Sequence, residues 1–193
     1  MRKFKIGVYG SAGGDAEIAK ATKKARSIGQ AIAKAGHIII TGACPGLPYE
    51  VASAARKMGG EVWGFSPLTN QKEHSRLFPK DDRRFYKKMF FVPKAFPFAH
   101  DLEIGRKYRN VVSTAVADAG IIMAGRWGTT HEFCSLHDYG KVIGVLAKSG
   151  GLADELPGLL KKSSKASKAK IIFNSDPKKL VRLVIQELKK AKK

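Results

Sequence analysis

Short apolar runs alternate with longer amphipathic stretches along the whole chain. Residues 4–9, 37–40, 61–66, 89–92, 119–123, 142–147 and 171–173 read as strands; helices are predicted over about 15–34, 49–57, 101–117 and 130–139, and from Pro177 onward. Ile104, Tyr108, Val111, Val112 and Ala115 fall at packing spacing in the third helix, as do Leu180, Leu183, Val184 and Leu188 in the last. Runs such as Ala119 to Met123 are apolar without alternation, which suits strands buried on both faces. Strand and helix taking turns predicts a parallel sheet covered on both sides, with right-handed crossovers gathering the strand-end loops on one edge.

Glycine punctuates those loops. The first strand leads into Gly10, Ser11, Gly13 and Gly14, the second into Gly42 and Gly46, and the fifth into Gly125 and Gly128. Strand, glycine turn and helix together make the opening of a nucleotide-binding unit. The predicted fold is therefore α/β, a three-layer Rossmann-like arrangement with a parallel sheet of about seven strands and helices on both faces. The glycines do not complete a dinucleotide fingerprint, and no acidic residue ends the second strand to hold a ribose hydroxyl, so NAD binding is disfavoured. After the fifth strand, a helix start at Thr129 with Glu132 three residues on reads as a capping box. Its backbone N–H groups and dipole favour phosphate.

Two stretches read as irregular. Residues 67–87 are polar and basic and suggest a functional loop or lid, while after the sixth strand Gly150-Gly151 and Pro157-Gly158 punctuate a loose segment whose basic, serine-rich part, 161–170, is predicted flexible. The 193 residues and 44% apolar composition suit one domain spanning the chain. The amino-terminal residues lack the apolar core of a signal peptide and no run approaches a bilayer span, which points to the cytoplasm. Cys44 and Cys134 have neither metal spacing nor a Cys-x-x-Cys partner, so no metal site, disulfide or cofactor is expected; Cys44 reads as a turn residue rather than a reactive thiol.

Charge sharpens the expectation about partners. Formal net charge is +20, and residues 161–193 carry twelve Lys or Arg against two acids, partly in a basic closing helix over 176–192. Such a tail gives a solvated face or loose nucleic-acid contact. A second basic stretch, 76–109, lies just upstream of the phosphate-type turn and favours an anionic ligand.

With these residues in view, the chain resembles the Lonely Guy (LOG) family of Rossmann-like nucleotide-binding proteins, often misnamed lysine decarboxylases. That family's motif is Pro-Gly-Gly-x-Gly-Thr-x-x-Glu, preceded by a helix whose arginine stands nine residues before an aspartate. Gly125, Gly128, Thr129 and Glu132 match the motif, and Arg109 stands nine residues before Asp118. Ala124 and Arg126 replace the motif's proline and second glycine, and Asn110 follows the arginine where the hydrolase branch has lysine. The departures draw the chain toward a branch that includes a molybdenum-cofactor carrier.

The resemblance implies Arg109 and Glu132 as catalytic residues of a purine nucleoside 5′-monophosphate phosphoribohydrolase, acting in a homodimer with sites near the subunit interface. An arginine fork would hold phosphate or ribose oxygens, and a carboxylate would stabilise oxocarbenium charge on the ribose and orient water. Gly10, Ser11, Gly42, Gly46, Gly125, Arg126, Gly128 and Thr129 are the expected binding residues, with Gly125, Gly128 and Thr129 supplying N–H groups and a hydroxyl. Arg126 either contacts phosphate or plugs the site, Trp127 either stacks on a base or packs, and His131 reads as facing another side of the helix from Glu132. A nucleotide or cofactor carrier without catalysis is the alternative, and nucleic-acid binding through the basic surface ranks third.

Overall fold

The computed structural model describes residues 2–13, 15–163 and 166–191. Seven parallel strands form one sheet in the order β4-β3-β2-β1-β5-β6-β7. They are β1 (Lys5–Gly10), β2 (Ile38–Thr41), β3 (Glu61–Phe65), β4 (Lys88–Phe90), β5 (Ala119–Met123), β6 (Val142–Leu146) and β7 (Lys170–Asn174). Every residue of β2, β5 and β6 is buried. Helices α1 (Asp15–Lys34), α2 (Leu47–Lys57) and α7 (Pro177–Lys190) pack over one face, where Ile28, Ile32, Val51, Leu180 and Val184 join Ile6, Val8, Ile39 and Ile121 in the main core. Helices α4 (Leu102–Val116), α5 (Trp127–Asp138) and α6 (Gly151–Lys162) cover the other, where Phe133, Leu136, Ala153 and Leu156 pack on Tyr9, Ile122 and Ile143. The predicted three-layer Rossmann-like architecture is the one observed.

The strand order reverses between β1 and β5. From β1 the chain runs outward through β2 to β4, returns to β5 beside β1, then runs the other way through β6 to β7. Loops leaving the carboxyl ends of β1 and β5 therefore diverge and open a crevice between them. The two strand ends sit side by side, with Gly10 opposite Met123. A Cβ on Gly10 would lie 2.4 Å from the Met123 carbonyl oxygen, so only glycine allows this approach. Asp118, at the opposite end of β5, accepts a hydrogen bond from the Lys5 N–H at 2.8 Å and so fixes the register of the pair.

Two segments correct the sequence reading. Within 67–87 the chain forms a helix, α3 (Gln71–Leu77), and a 3-10 turn (Arg83–Phe85) rather than an irregular excursion. Asn70 caps α3 by accepting the Glu73 N–H, and the Glu73 carboxylate reaches back to the Thr69 hydroxyl at 2.9 Å. The segment after β6 is also helical. Leu152, Ala153, Leu156 and Leu160 recur at helical spacing against the second core, and Asp154 ties off the Lys148 and Gly150 N–H groups. Pro157 sits inside α6, whose last residue is Lys162. Gly14, Ser164, Lys165 and Lys192, which fall in the predicted glycine loop, flexible stretch and closing helix, lie outside the described residues, as do Met1 and Lys193. Among the described residues, no helix is long and apolar enough to cross a membrane.

Candidate functional site

A cavity of about 550 Å³ fills the crevice at the β1/β5 switch point, a size ordinary for a small-molecule site. Gly10, Ser11, Gly42, Arg109, Arg126, Gly128, Thr129 and Glu132 all line it; Gly46 and Gly125 do not. The two exceptions serve the backbone. Gly46 has φ 96°, and a Cβ there would meet the Ser11 carbonyl oxygen at 2.3 Å. Gly125 has φ 98°, and its N–H donates to the Ser11 hydroxyl at 3.0 Å. That N–H is already used, which corrects its expected role as a phosphate donor. Ser11 also accepts the Leu47 N–H on its carbonyl at 2.9 Å, so one residue joins the loops after β1, β2 and β5.

Helix α5 begins at Trp127, three residues ahead of the start its pattern suggested. Its N-cap is Arg126, whose side chain makes no capping bond, and the first bond inside the helix runs from the Thr130 N–H to the Arg126 carbonyl. The N–H groups of Trp127, Gly128 and Thr129 therefore stand at the free end of the helix dipole, beside the cavity. Glu132 consequently falls beyond the capping position. It is buried, at 6% exposure, and points into the cavity rather than closing a capping box.

Arg109, from the middle of α4, meets Glu132 across the cavity floor with 3.8 Å between Nη1 and Oε1. Its guanidinium lies over Gly42: a Cβ on that glycine would fall 1.3 Å from Nη1, so the second glycine loop leaves the space the arginine occupies. Burial pushes the Glu132 carboxyl up to about 7, against the smaller opposing pull of Arg109 and then Lys107. Three buried polar atoms on residues of the lining, the Tyr9 hydroxyl, Arg109 Nε and Asn110 Oδ1, have no hydrogen-bond partner among the described residues. The Asn110 amide donates to the Gly128 carbonyl at 3.3 Å, which identifies its nitrogen and leaves its oxygen as the free acceptor.

The rim is basic. Arg106, Lys107 and Arg126 line it, while Glu103 is engaged by Arg106. Arg126 is exposed and reaches across to the first glycine loop, with a guanidinium nitrogen 3.0 Å from where a Gly13 Cβ would stand. It spans the mouth without filling the cavity. Trp127 is 85% exposed and does not pack. His131 is outside the lining; burial and then Lys107 lower its pKa, keeping the ring neutral. The Cys44 thiol lines the floor, and burial raises its pKa, as expected of a turn residue and not of a reactive thiolate.

Pro67 and Phe78, which sequence reasoning missed, form a further wall. They are carried by a buried polar chain. His74 Nε2 lies 2.9 Å from Asp81 Oδ2, His74 Nδ1 lies 2.9 Å from Ser66 Oγ, and the Tyr86 hydroxyl donates to Asp81 Oδ1 at 2.6 Å. The order Ser, His, Asp resembles a nucleophile triad, but all three are at most 7% exposed, so no substrate reaches the hydroxyl. Its job is to hold the wall. Replacing His74 with Leu leaves Ser66 and Asp81 short of partners; we expect a stability loss of about 3 kcal/mol. Faster amide hydrogen exchange through 66–86 would be the measurement that reports it.

Among the described residues no cluster of His, Cys, Asp or Glu could hold a metal ion. The family model described as the SLOG cluster4 family matches residues 3–181. No curated protein sequence matches the chain. Among solved structures, the X-ray structure of TM1055 superimposes with a TM-score of 0.77 at 19% identity, covering 96% of this chain and 99% of that one. The molybdenum cofactor carrier protein of Chlamydomonas reinhardtii gives 0.65 at 16% identity, over 97% and 99%. The single-stranded-DNA-binding DNA processing protein A of Helicobacter pylori gives 0.56 at 18%, over 95% and 81%. At these identities the likeness is one of fold.

Proposed function

This chain belongs to the SLOG cluster4 family, and on that premise we propose that it binds a nucleoside 5′-monophosphate and hydrolyses its N-glycosidic bond, releasing the base and ribose 5-phosphate. The observation carrying this reading is the Arg109–Glu132 pair at 3.8 Å, with the carboxyl pushed up to about 7, beneath the uncapped end of α5. The phosphate takes the N–H groups of Trp127, Gly128 and Thr129, with Arg126 closing over it. Arg109 holds the ribose oxygens through its free Nε. As the bond from the base nitrogen to C1′ breaks, charge develops on the ribose ring. The base leaves with the bond's electron pair. Glu132 in its ionised form stabilises the ribose charge and takes a proton from the attacking water, and that proton passes on to the departing base, which restores the carboxylate. A carboxyl near 7 is charged in a large fraction of molecules at neutral pH.

Incubation with AMP, GMP, IMP and CMP should release free base from at least one, measured by chromatography, and Glu132→Ala should lower the rate at least 10²-fold, on the order expected for a lost general base. No release from any nucleotide would remove the hydrolase reading. The second reading, a nucleotide or cofactor carrier, draws on the altered motif at Ala124, Arg126 and Asn110 and on the carrier proteins among the similar folds. Thermal stabilisation by a nucleotide without turnover would favour it.

The assembly belongs to the same proposal. On α4 the predicted packing stripe is only partly covered, with Val111 39% exposed and Phe98 nearby 54% exposed, while the helix buries Gly105, Asn110, Ser113 and Thr114 instead. That supports a homodimer formed through this surface. Nucleic-acid contact through the basic surface ranks third; binding that collapses as salt rises would mark it as nonspecific attraction.

A further inference from the structure

Trp127 is the most exposed large hydrophobic side chain among the described residues. It is 85% exposed, it lines the cavity, and its indole makes no ring or cation contact with another described residue. Its place in the helix tells where it leans. Trp127 is the first residue of α5 and lines the cavity, and Cα–Cβ bonds in a helix tilt toward the amino end, so its side chain leaves the helix at the end that carries the three free N–H groups. The helix surface next to it is open, since a Cβ on Gly128 would meet no atom within 4 Å beyond its chain neighbours and the helix's own backbone. A second feature of the same cavity calls for a ligand: Asn110 is 3% exposed, and its Oδ1 has no partner.

We propose that Trp127 is the stacking platform for a flat heteroaromatic ring whose phosphate occupies the amino end of α5. Indole offers a large π face beside water, and base–aromatic stacking accepts any flat nitrogen heterocycle, so purines and pterins belong to the same ligand class. The inference rests on the reading that a phosphate ester fills this cavity. It does not depend on whether the ester is hydrolysed.

The chain supplies its own probe. It has two tryptophans, and Trp63 lies on β3, donating to Glu61 and packing on Phe90, outside the cavity lining. Trp63→Phe therefore leaves Trp127 as the only indole, and adding Glu132→Gln keeps a bound nucleotide whole. In this protein AMP should quench the emission, whereas ribose 5-phosphate, bound to the same N–H groups, should leave it unchanged. By calorimetry, Trp127→Ala should weaken AMP about tenfold and ribose 5-phosphate less than about twofold, and Trp127→Phe should restore most of the difference. Equal weakening of both ligands would overturn the stacking role while leaving the phosphate site intact. So would AMP binding with unchanged emission, or emission that follows protein concentration instead of ligand. If AMP, ribose 5-phosphate and inorganic phosphate all fail to bind, the cavity reading falls first and takes this inference with it.

Discussion

Glu132→Gln is expected to stabilise the protein at pH 8 by roughly 3 kcal/mol while removing the hydrolysis proposed above. Burial lifts the carboxyl from 4.5 to about 7 in the folded chain. Between those two values the native state keeps a proton that the unfolded chain has released, so stability declines as pH rises through that window. Above about 7 the native carboxylate is ionised in a dry site and the whole loss is in place. At about 1.4 kcal/mol per pH unit, a rise of that size gives the figure above. Glutamine fills the same volume and cannot ionise. Urea unfolding of the two proteins should give curves that converge toward pH 4 and separate progressively to pH 8. Equal stability at both ends would mean that Glu132 is solvated and not poised for chemistry.

Gly42→Ala should weaken ligand binding sharply with little effect on the fold. A Cβ at this position would lie 1.3 Å from Arg109 Nη1 and 2.5 Å from Cζ. The neighbour that must yield is the end of a long side chain, and Gly42 does not carry a positive φ. The guanidinium swings away, and affinity for AMP should fall on the order of 10²-fold, as a lost charge-assisted pair of hydrogen bonds implies. Unfolding free energy should change by no more than about 1 kcal/mol. Arg109→Ala should produce the same loss, and the double variant should bind no worse than either single one, since both remove one interaction. Additive losses would show that Gly42 meets the ligand directly.

Much of this architecture was legible from the chain. Each strand is a short apolar run, and the turns at Gly10 and Gly42 and the run into Gly125 mark the sheet edge that carries the site. The two helices that escaped notice did so for physical reasons. Helix α3 has one buried side chain, His74, and its stability comes from polar capping through Asn70 and Glu73. Helix α6 hides behind Gly150, Gly151, Pro157 and Gly158, which read as breaks, while Ala153 and Leu156 face the core. The signal for α3 was present in the spacing of Asn70 and Glu73.

The site itself was legible unevenly. Arg109 and Glu132 stand on different helices, and periodicity does not bring them together; resemblance did. Thr129 and Glu132 fit a capping box by spacing, but the cap lies at Arg126, where the left-handed turn of Ala124 and Gly125 sets the helix start. Backbone φ values of this kind leave only a faint trace in side-chain pattern. Gly46 and Gly125 were recognised as necessary, yet their necessity comes from contact with Ser11 and Thr129 rather than with a ligand.

The knot at Ser11 carries a mechanical consequence. One hydroxyl and one carbonyl rivet three loops that come from different strands, and the His74 chain fastens the far wall. An incoming molecule thus meets a floor and sides already set, and the entropy surrendered on binding falls on a few long side chains at the mouth. Affinity here is to be adjusted at the rim, by changing what Arg126 and its neighbours lose on docking, without reshaping the bed beneath.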